Sequence, residues 1–218
     1  MTKTIFITGG IVSGLGKGIT AASLGALLKA RGFSVTAQKI DMYLNIDAGT
    51  LNPLEHGEVF VTEDGIETDL DLGHYERFID VSLTRSSYAT MGVIYQTLTE
   101  DERNGKFLGK TIQIVPHVTN EIQRRFAVLS DQAKADFQLI EMGGVVGHLE
   151  EQYAIEAMRQ HIVQNRRDSL LVHVVKMDYL YPSDEGKTKP MQHAVAVLRS
   201  YGVTPDILVV RAKRPMTD

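Results

Sequence analysis

A three-layer α/β domain with a mainly parallel sheet is the fold this sequence predicts, and three observations carry that expectation. Short β-branched runs alternate with helix-periodic stretches along most of the 218 residues. The first run, Thr4–Thr8, passes straight into a glycine cluster that opens a helix. Hydrophobic residues make up 43% of the chain, which supplies a sizeable core and argues against disorder. Strands alternating with helices imply right-handed crossovers and a sheet covered on both faces.

In order, Thr4–Thr8 reads as a buried strand, and Gly18–Arg31 as a helix with Ile19, Ala22, Leu24, Leu27 and Leu28 at helical spacing and Gly32 as its stop. Ser34–Asp41 is the second strand. Met42–Gly73 is an irregular stretch, long enough to imply a functional loop, with a short strand at Glu58–Val61. Further strands are expected at Thr111–Val115, Phe137–Glu141, Ser169–Val175 and Asp206–Arg211. Helical patterns fall at Tyr88–Asn104, Val118–Leu129, Leu149–Asn165 and Pro190–Tyr201. Ala212–Asp218 is polar and closes on no recognisable element.

Composition excludes several classes. A net charge of −4 argues against a nucleic-acid partner. The chain has no Cys, so a disulfide framework, a thiolate zinc site and a thiol nucleophile are ruled out within it. No apolar run is long enough to span a membrane, and a cytoplasmic protein is expected. The seven His residues show no ligand spacing; His56 and His74 read as structural.

Chemistry concentrates in Gly9–Gly18, a strand-to-helix turn of the kind that cradles phosphates with backbone N–H groups while Lys17 adds a point charge. Its spacing is one residue longer than the usual pattern, and Gly18 stands where Ser or Thr ordinarily touches magnesium. Carboxylates must therefore hold the metal. Glu141, ending an apolar strand before two glycines, and Asp71, in an acidic loop, are the candidates. Lys39 sits near the end of the second strand, within reach of the same crevice. Lys187 and Lys189 precede a helix, a setting that suits a second polyphosphate.

The runs GGIVSGLGKG, QKIDMYLNIDAGT, HGEVFVTEDGIETDLDLGHYERFID, IEMGGVVGHLE and GKTKPMQH resemble, in order and over nearly the whole chain, the synthetase (amidoligase) domain of CTP synthase. The resemblance implies a P-loop-type fold like dethiobiotin synthetase. It also implies ATP-dependent phosphorylation of UTP at O4, followed by displacement of phosphate by ammonia to give CTP. By the same resemblance Gly14, Leu15, Gly16, Lys17, Gly18 and Ile19, with Asp71, bind ATP, and Lys17 and Lys39 are catalytic. Asp71 and Glu141 hold Mg²⁺. Ser13, Lys187, Lys189 and Gln192 face UTP, and His148, Leu149 and Glu150 lie where product CTP is sensed as an inhibitor. Family members form homo-oligomers (tetramers) and draw ammonia from a Cys-dependent glutaminase domain, for which this chain has no thiol.

Residues 1–218 are expected to form one such domain, ending before the family's last synthetase elements. Gly14, Met42, Ala48, Val145 and His148 depart from the family's usual residues, and Lys176–Asp184 does not match its usual stretch. Two other readings fit the same residues: an amidoligase with another acceptor, and a nucleotide-binding or assembly paralogue without turnover.

Overall fold

The computed structural model describes residues 2–10, 12–183 and 185–215. The chain runs β1 (Lys3–Gly9), α1 (Lys17–Lys29), β2 (Val35–Asp41), α2 (Pro53–His56), β3 (Phe60–Val61), β4 (Glu67–Thr68) and α3 (Leu70–Ile79). It continues through β5 (Tyr88–Thr90), α4 (Met91–Arg103), α5 (Thr119–Ala133), β6 (Phe137–Met142), α6 (Gln152–Gln164) and β7 (Ser169–Lys176). The last elements are β8 (Asp178–Leu180), β9 (Glu185–Lys187), α7 (Lys189–Ser200) and β10 (Ile207–Arg211).

Six strands form one sheet in the order β10-β7-β1-β6-β2-β5, and every pairing in it is parallel. The alternation of side chains along each strand divides the core in two. Ile5, Ile7, Val35, Ala37, Leu139, Val172 and Val174 pack under Ala21, Ala22, Leu72, Tyr75 and Ile79 of α1 and α3. Phe6, Ile40, Ile140 and Leu171 face the other way, onto α4, α5, α6 and α7 through Ile94, Ile122, Phe126, Met158 and Leu198. The expected three-layer architecture is what forms. None of the helices among the described residues is long and apolar enough to cross a membrane.

Three local expectations are corrected. Thr111–Val115 forms no strand: its apolar character serves helix packing, with Ile114 resting on the core that holds Leu98 and Val118. The edge position beside β2 belongs instead to β5, three residues that the helical reading of Tyr88–Asn104 absorbed. The stretch Met42–Gly73 is not irregular throughout. It contains α2, the β3–β4 hairpin and the start of α3, which Asp69 caps by accepting from the Asp71 N–H.

α1 and α3 meet closely because Gly25 has no side chain. A Cβ there would stand 2.6 Å from Ile79 Cδ1 and 2.7 Å from its Cγ1. Gly25→Ala gains about 1 kcal/mol of helix propensity but forces a fully buried neighbour to move, at a cost of about 1–3 kcal/mol. We expect net destabilisation in urea unfolding, partly relieved by adding Ile79→Val, which removes the nearest atom. A stabilised Gly25→Ala would contradict this packing.

Candidate functional site

Sheet register places the first two charged groups. β2 and β6 pair with Lys39 opposite Glu141, and both residues share the phase of Ala37 and Leu139, which face α1 and α3. Period-two alternation therefore sets an ammonium beside a carboxylate, both buried, at the carboxyl end of the sheet. Asp41, two residues after Lys39, falls on the same side.

α3 supplies the rest. Its N-cap Asp69 brings Oδ1 to 2.7 Å, and Asp71 in its first turn brings Oδ2 to 2.5 Å, from Lys39 Nζ, with Asp41 Oδ1 at 3.6 Å. One turn further, Tyr75 donates its hydroxyl hydrogen bond to Glu141, and His74 Nδ1 lies 3.4 Å from Asp71 Oδ1. Tyr43 and Tyr88 both donate to Asp41 Oδ2 at 3.1 Å. Burial would depress the Lys39 ammonium, but Asp41, Glu141, Asp71 and Asp69 hold it charged, well above its usual range. Burial raises Asp71 less than Lys39 and His74 lower it, so its carboxyl titrates below the usual range. Burial pushes Glu141 up to about 7 against the pull of Lys39.

The glycine loop faces this cluster. Gly16 adopts a left-handed conformation and Lys17 begins α1. The Lys17 ammonium donates to Gly144 O, in the turn after β6. A Cβ at Gly18 would overlap Asp71 Oδ1. The position where a hydroxyl residue is usual is thus glycine because the Asp71 carboxylate fills that space. Arg211, at the end of β10, donates to Gly14 O (3.1 Å) and Leu15 O (3.0 Å), pinning the loop from the far edge of the sheet.

Among the described residues no three acidic or imidazole groups converge as a ready-made metal cage. Asp71 and Glu141 nevertheless fit magnesium as it is held beside a polyphosphate, through one or two carboxylates, with phosphate and water oxygens completing the shell. The raised Glu141 carboxyl, buried beside Asp71, is a group that a divalent cation would relieve.

The remaining predicted residues form a second group. The turn after β6 lies on the base of the loop, with Val146 N donating to Gly9 O at 2.9 Å. His148, Leu149 and Glu150 follow it and are exposed. α7 packs onto both turns, since a Cβ at Gly10 would meet Ala194 Cβ at 2.6 Å and one at Gly147 would meet Val197 Cγ1 at 3.2 Å. At its start, Lys187 Nζ pairs with Glu185 at 2.7 Å and Gln192 donates to Thr188 at 3.2 Å; Lys189 is exposed. Ser13 is exposed on the loop itself, and Ile11 lies outside the described residues. Among the described residues, no hydrogen bond or ion pair joins this second group to Lys17, Lys39, Asp71 or Glu141.

A cleft of about 500 Å³ adjoins the loop, lined by Ser13, Gly14, Leu15, Tyr179 and Arg211 among others. A larger one, about 780 Å³, opens at the amino end of the sheet by Thr4, Gln138 and Asp168, away from the charged cluster.

Residues 3–218 match the family described as CTP synthase N-terminus. The chain belongs to that family. It is 54% identical over 219 residues to a CTP synthase of Dehalococcoides mccartyi and 56% identical over 220 residues to one of Frankia casuarinae. All of this chain is covered in both cases, yet it spans only 40% and 36% of those relatives' length. Among solved structures, the signal recognition particle receptor FtsY of Elizabethkingia anophelis in complex with GDP overlaps 96% of this chain and 48% of its own. Its identity is 13% and its TM-score 0.49, a loose likeness.

Several of the chain's departures from the family's usual residues acquire places. Gly14 has φ +69°, a conformation that a side chain would strain. Met42 and Ala48 are buried and serve packing. Sequence reading passed over Asp41, Asp69, Tyr75, Glu151 and Arg211, and set His74 aside as structural. The Asp69-x-Asp71 spacing ahead of a helix was the one available signal for Asp69.

His173 of β7 is also part of the setting. It is fully buried, with Nδ1 2.8 Å from Thr8 Oγ1 and Nε2 without a partner. Burial, with Lys17 nearby, holds its imidazole down at about 4, against a usual 6.5. The unfolded state therefore binds more protons as pH falls from 6.5 toward 4; the stability is fully present above that window and lost through it. The loss is about 3 kcal/mol. His173→Asn keeps a polar group for Thr8 and should flatten this acid slope, as read from urea midpoints across the window; parallel slopes would contradict it.

Proposed function

We propose that this chain supplies the synthetase chemistry of a CTP synthase: phosphorylation of UTP at O4 by ATP, then attack of ammonia at C4. The observation that carries this reading is the convergence of Lys17, Lys39, Asp71 and Glu141 at one end of the sheet, in a chain of this family. The loop Gly14–Ile19 would wrap the ATP phosphates, with backbone N–H groups and the α1 N-terminus facing them. The cleft between the loop, Tyr179 and Arg211 has a volume suited to the nucleoside end.

In the first step O4 of UTP bonds to the γ-phosphorus and ADP leaves. In the second, ammonia bonds to C4, inorganic phosphate leaves with the C4–O4 bond, and the added nitrogen gives up protons to reach the 4-amino group. Lys17, with one of its three donors kept on Gly144 O, would neutralise charge on the transferring group with the others, and Lys39 holds Asp69 and Asp71 in place. Mg²⁺, held by Asp71 and Glu141, would supply charge neutralisation at the phosphate oxygens. Ser13, Lys187, Lys189 and Gln192 would face UTP. A homo-oligomer in the cytoplasm, with ammonia as nitrogen donor, completes the reading. Keeping both lysines and both carboxylates favours turnover over a purely assembling paralogue.

The test is calorimetric titration of Mg·ATP together with ADP release in the presence of UTP and ammonia. Lys17→Ala should weaken binding about tenfold or more, as expected for a lost charge-assisted contact, and abolish phosphoryl transfer. Equal affinity and turnover in the two proteins would overturn the assignment.

A second expectation concerns product inhibition. His148 stands where the family has an acid beside the pocket for the product's cytosine, a place from which an acceptor can pair with the 4-amino group. An ionised acceptor is worth about 1 kcal/mol more than a neutral one, several-fold in affinity. His148→Asp should therefore bind CTP several-fold more tightly than the parent chain; equal or weaker binding would count against placing CTP there.

A further inference from the structure

Glu151 has no place in the chemistry above, yet the geometry of the turn after β6 passes through it. It precedes α6 and is 5% exposed. Its Oε1 accepts the Val145 N–H, and its Oε2 is buried without a partner. Its carboxylate also fills the space over Gly144, where a Cβ would overlap Oε1 and where φ is +77°. Position 144 is thus reserved for glycine twice, by space and by backbone conformation.

The Val145 N–H and the Gly144 carbonyl belong to one peptide unit. In a trans peptide these groups point in opposite directions. Glu151 holds the N–H end, so the carbonyl end is turned outward, where it receives the Lys17 ammonium. The stem of Lys17 lies across Gly9, with Cδ 2.9 Å from where a Cβ would stand. Among the described residues the Val145 N–H makes no hydrogen bond other than that to Glu151. Glycine has several backbone conformations open to it, so without that hold the Gly144–Val145 peptide is no longer fixed in this orientation.

We propose that Glu151 is the positioning residue for Lys17: through the Gly144–Val145 peptide it sets where the ammonium stands at the mouth of the glycine loop. It acts on the lysine through the backbone rather than by contact with a nucleotide. Its consequence for ATP rests on the reading of Lys17 given above; the positional claim does not.

The experiment follows the NMR signal of Lys17 Cε in the lysine-labelled chain, assigned with Lys17→Arg, together with Mg·ATP affinity. Glu151→Gln keeps a carbonyl oxygen for the Val145 N–H and removes the charge; Glu151→Ala removes both. The Lys17 signal should stay in place in Glu151→Gln and move in Glu151→Ala, whose Mg·ATP affinity should fall about tenfold, the scale of one charge-assisted hydrogen bond. An unmoved signal in Glu151→Ala overturns the proposal, and so does an equal shift in Glu151→Gln, which would show direct charge attraction instead. If the signal behaves as expected while affinity is unchanged, the positional claim stands and the phosphate role of Lys17 falls. Because Glu151→Ala empties a buried space, Gly144→Ala is the second probe: with Glu151 present it should push the carboxylate aside and shift the same signal. The other lysine signals report whether each variant is folded, and an unmoved Lys17 signal in folded Gly144→Ala also overturns the proposal.

Discussion

The Lys39 ammonium is buried between Asp41, Asp69 and Asp71 and beside Glu141, and the arrangement of the carboxyl end of the sheet turns on it. Collecting carboxylates in a half-buried crevice is costly, and a paired ammonium offsets that cost only while its partners stay in hydrogen-bonding range. Lys39 meets this condition because its strand pairs with β6 in the register that sets it opposite Glu141, and because α3 begins over that same face. A slip of one residue in β2 would turn Lys39 toward α5 and α6 and leave the acids without it. Register, helix start and electrostatics are therefore one constraint.

Several glycines follow from the same crowding. Gly18 yields its side-chain space to Asp71, and Gly144 yields its space to Glu151. Gly25 lets α1 lie close enough to α3 for these approaches to occur. In each case a missing side chain is matched by a neighbouring residue that fills the vacated volume. The loop is held at both sides, by Arg211 on its carbonyls and by the Val146 N–H on Gly9 O.

The exposed second group is organised differently. His148, Leu149 and Glu150 leave the turn that carries Gly144, while Lys187, Lys189 and Gln192 lie about the start of α7. α7 joins the two turns by packing on Gly10 and Gly147. In the reading proposed here, the buried cluster serves the nucleotide that gives its phosphate and the exposed group serves the one that receives it. That division suits the chemistry, since charge must be fixed in advance where phosphoryl transfer occurs, whereas a pocket that exchanges substrate and product stays accessible.

Local pattern determined much of this protein on its own. The β-branched runs at Thr4–Thr8 and Phe137–Glu141, the glycine cluster after the first, and the helical spacing after Gly18 specified a parallel α/β sheet and the glycine loop between its first strand and helix, because strand and helix periods are local properties. Lys17, Lys39 and Glu141 were legible because each stands at the end of a strand or beside a glycine turn, and Asp71 because it lies in an acidic run. Only the tertiary structure decided the rest. Thr111–Val115 is as β-branched as a strand, but β5 holds the place beside β2. Asp41, Asp69 and Tyr75 enter the cluster through strand register and the placing of α3, and Arg211 reaches the loop from 197 residues away in sequence. Glu151 was invisible for the same reason: its role lies in a peptide six residues upstream, whose orientation no residue type or spacing records.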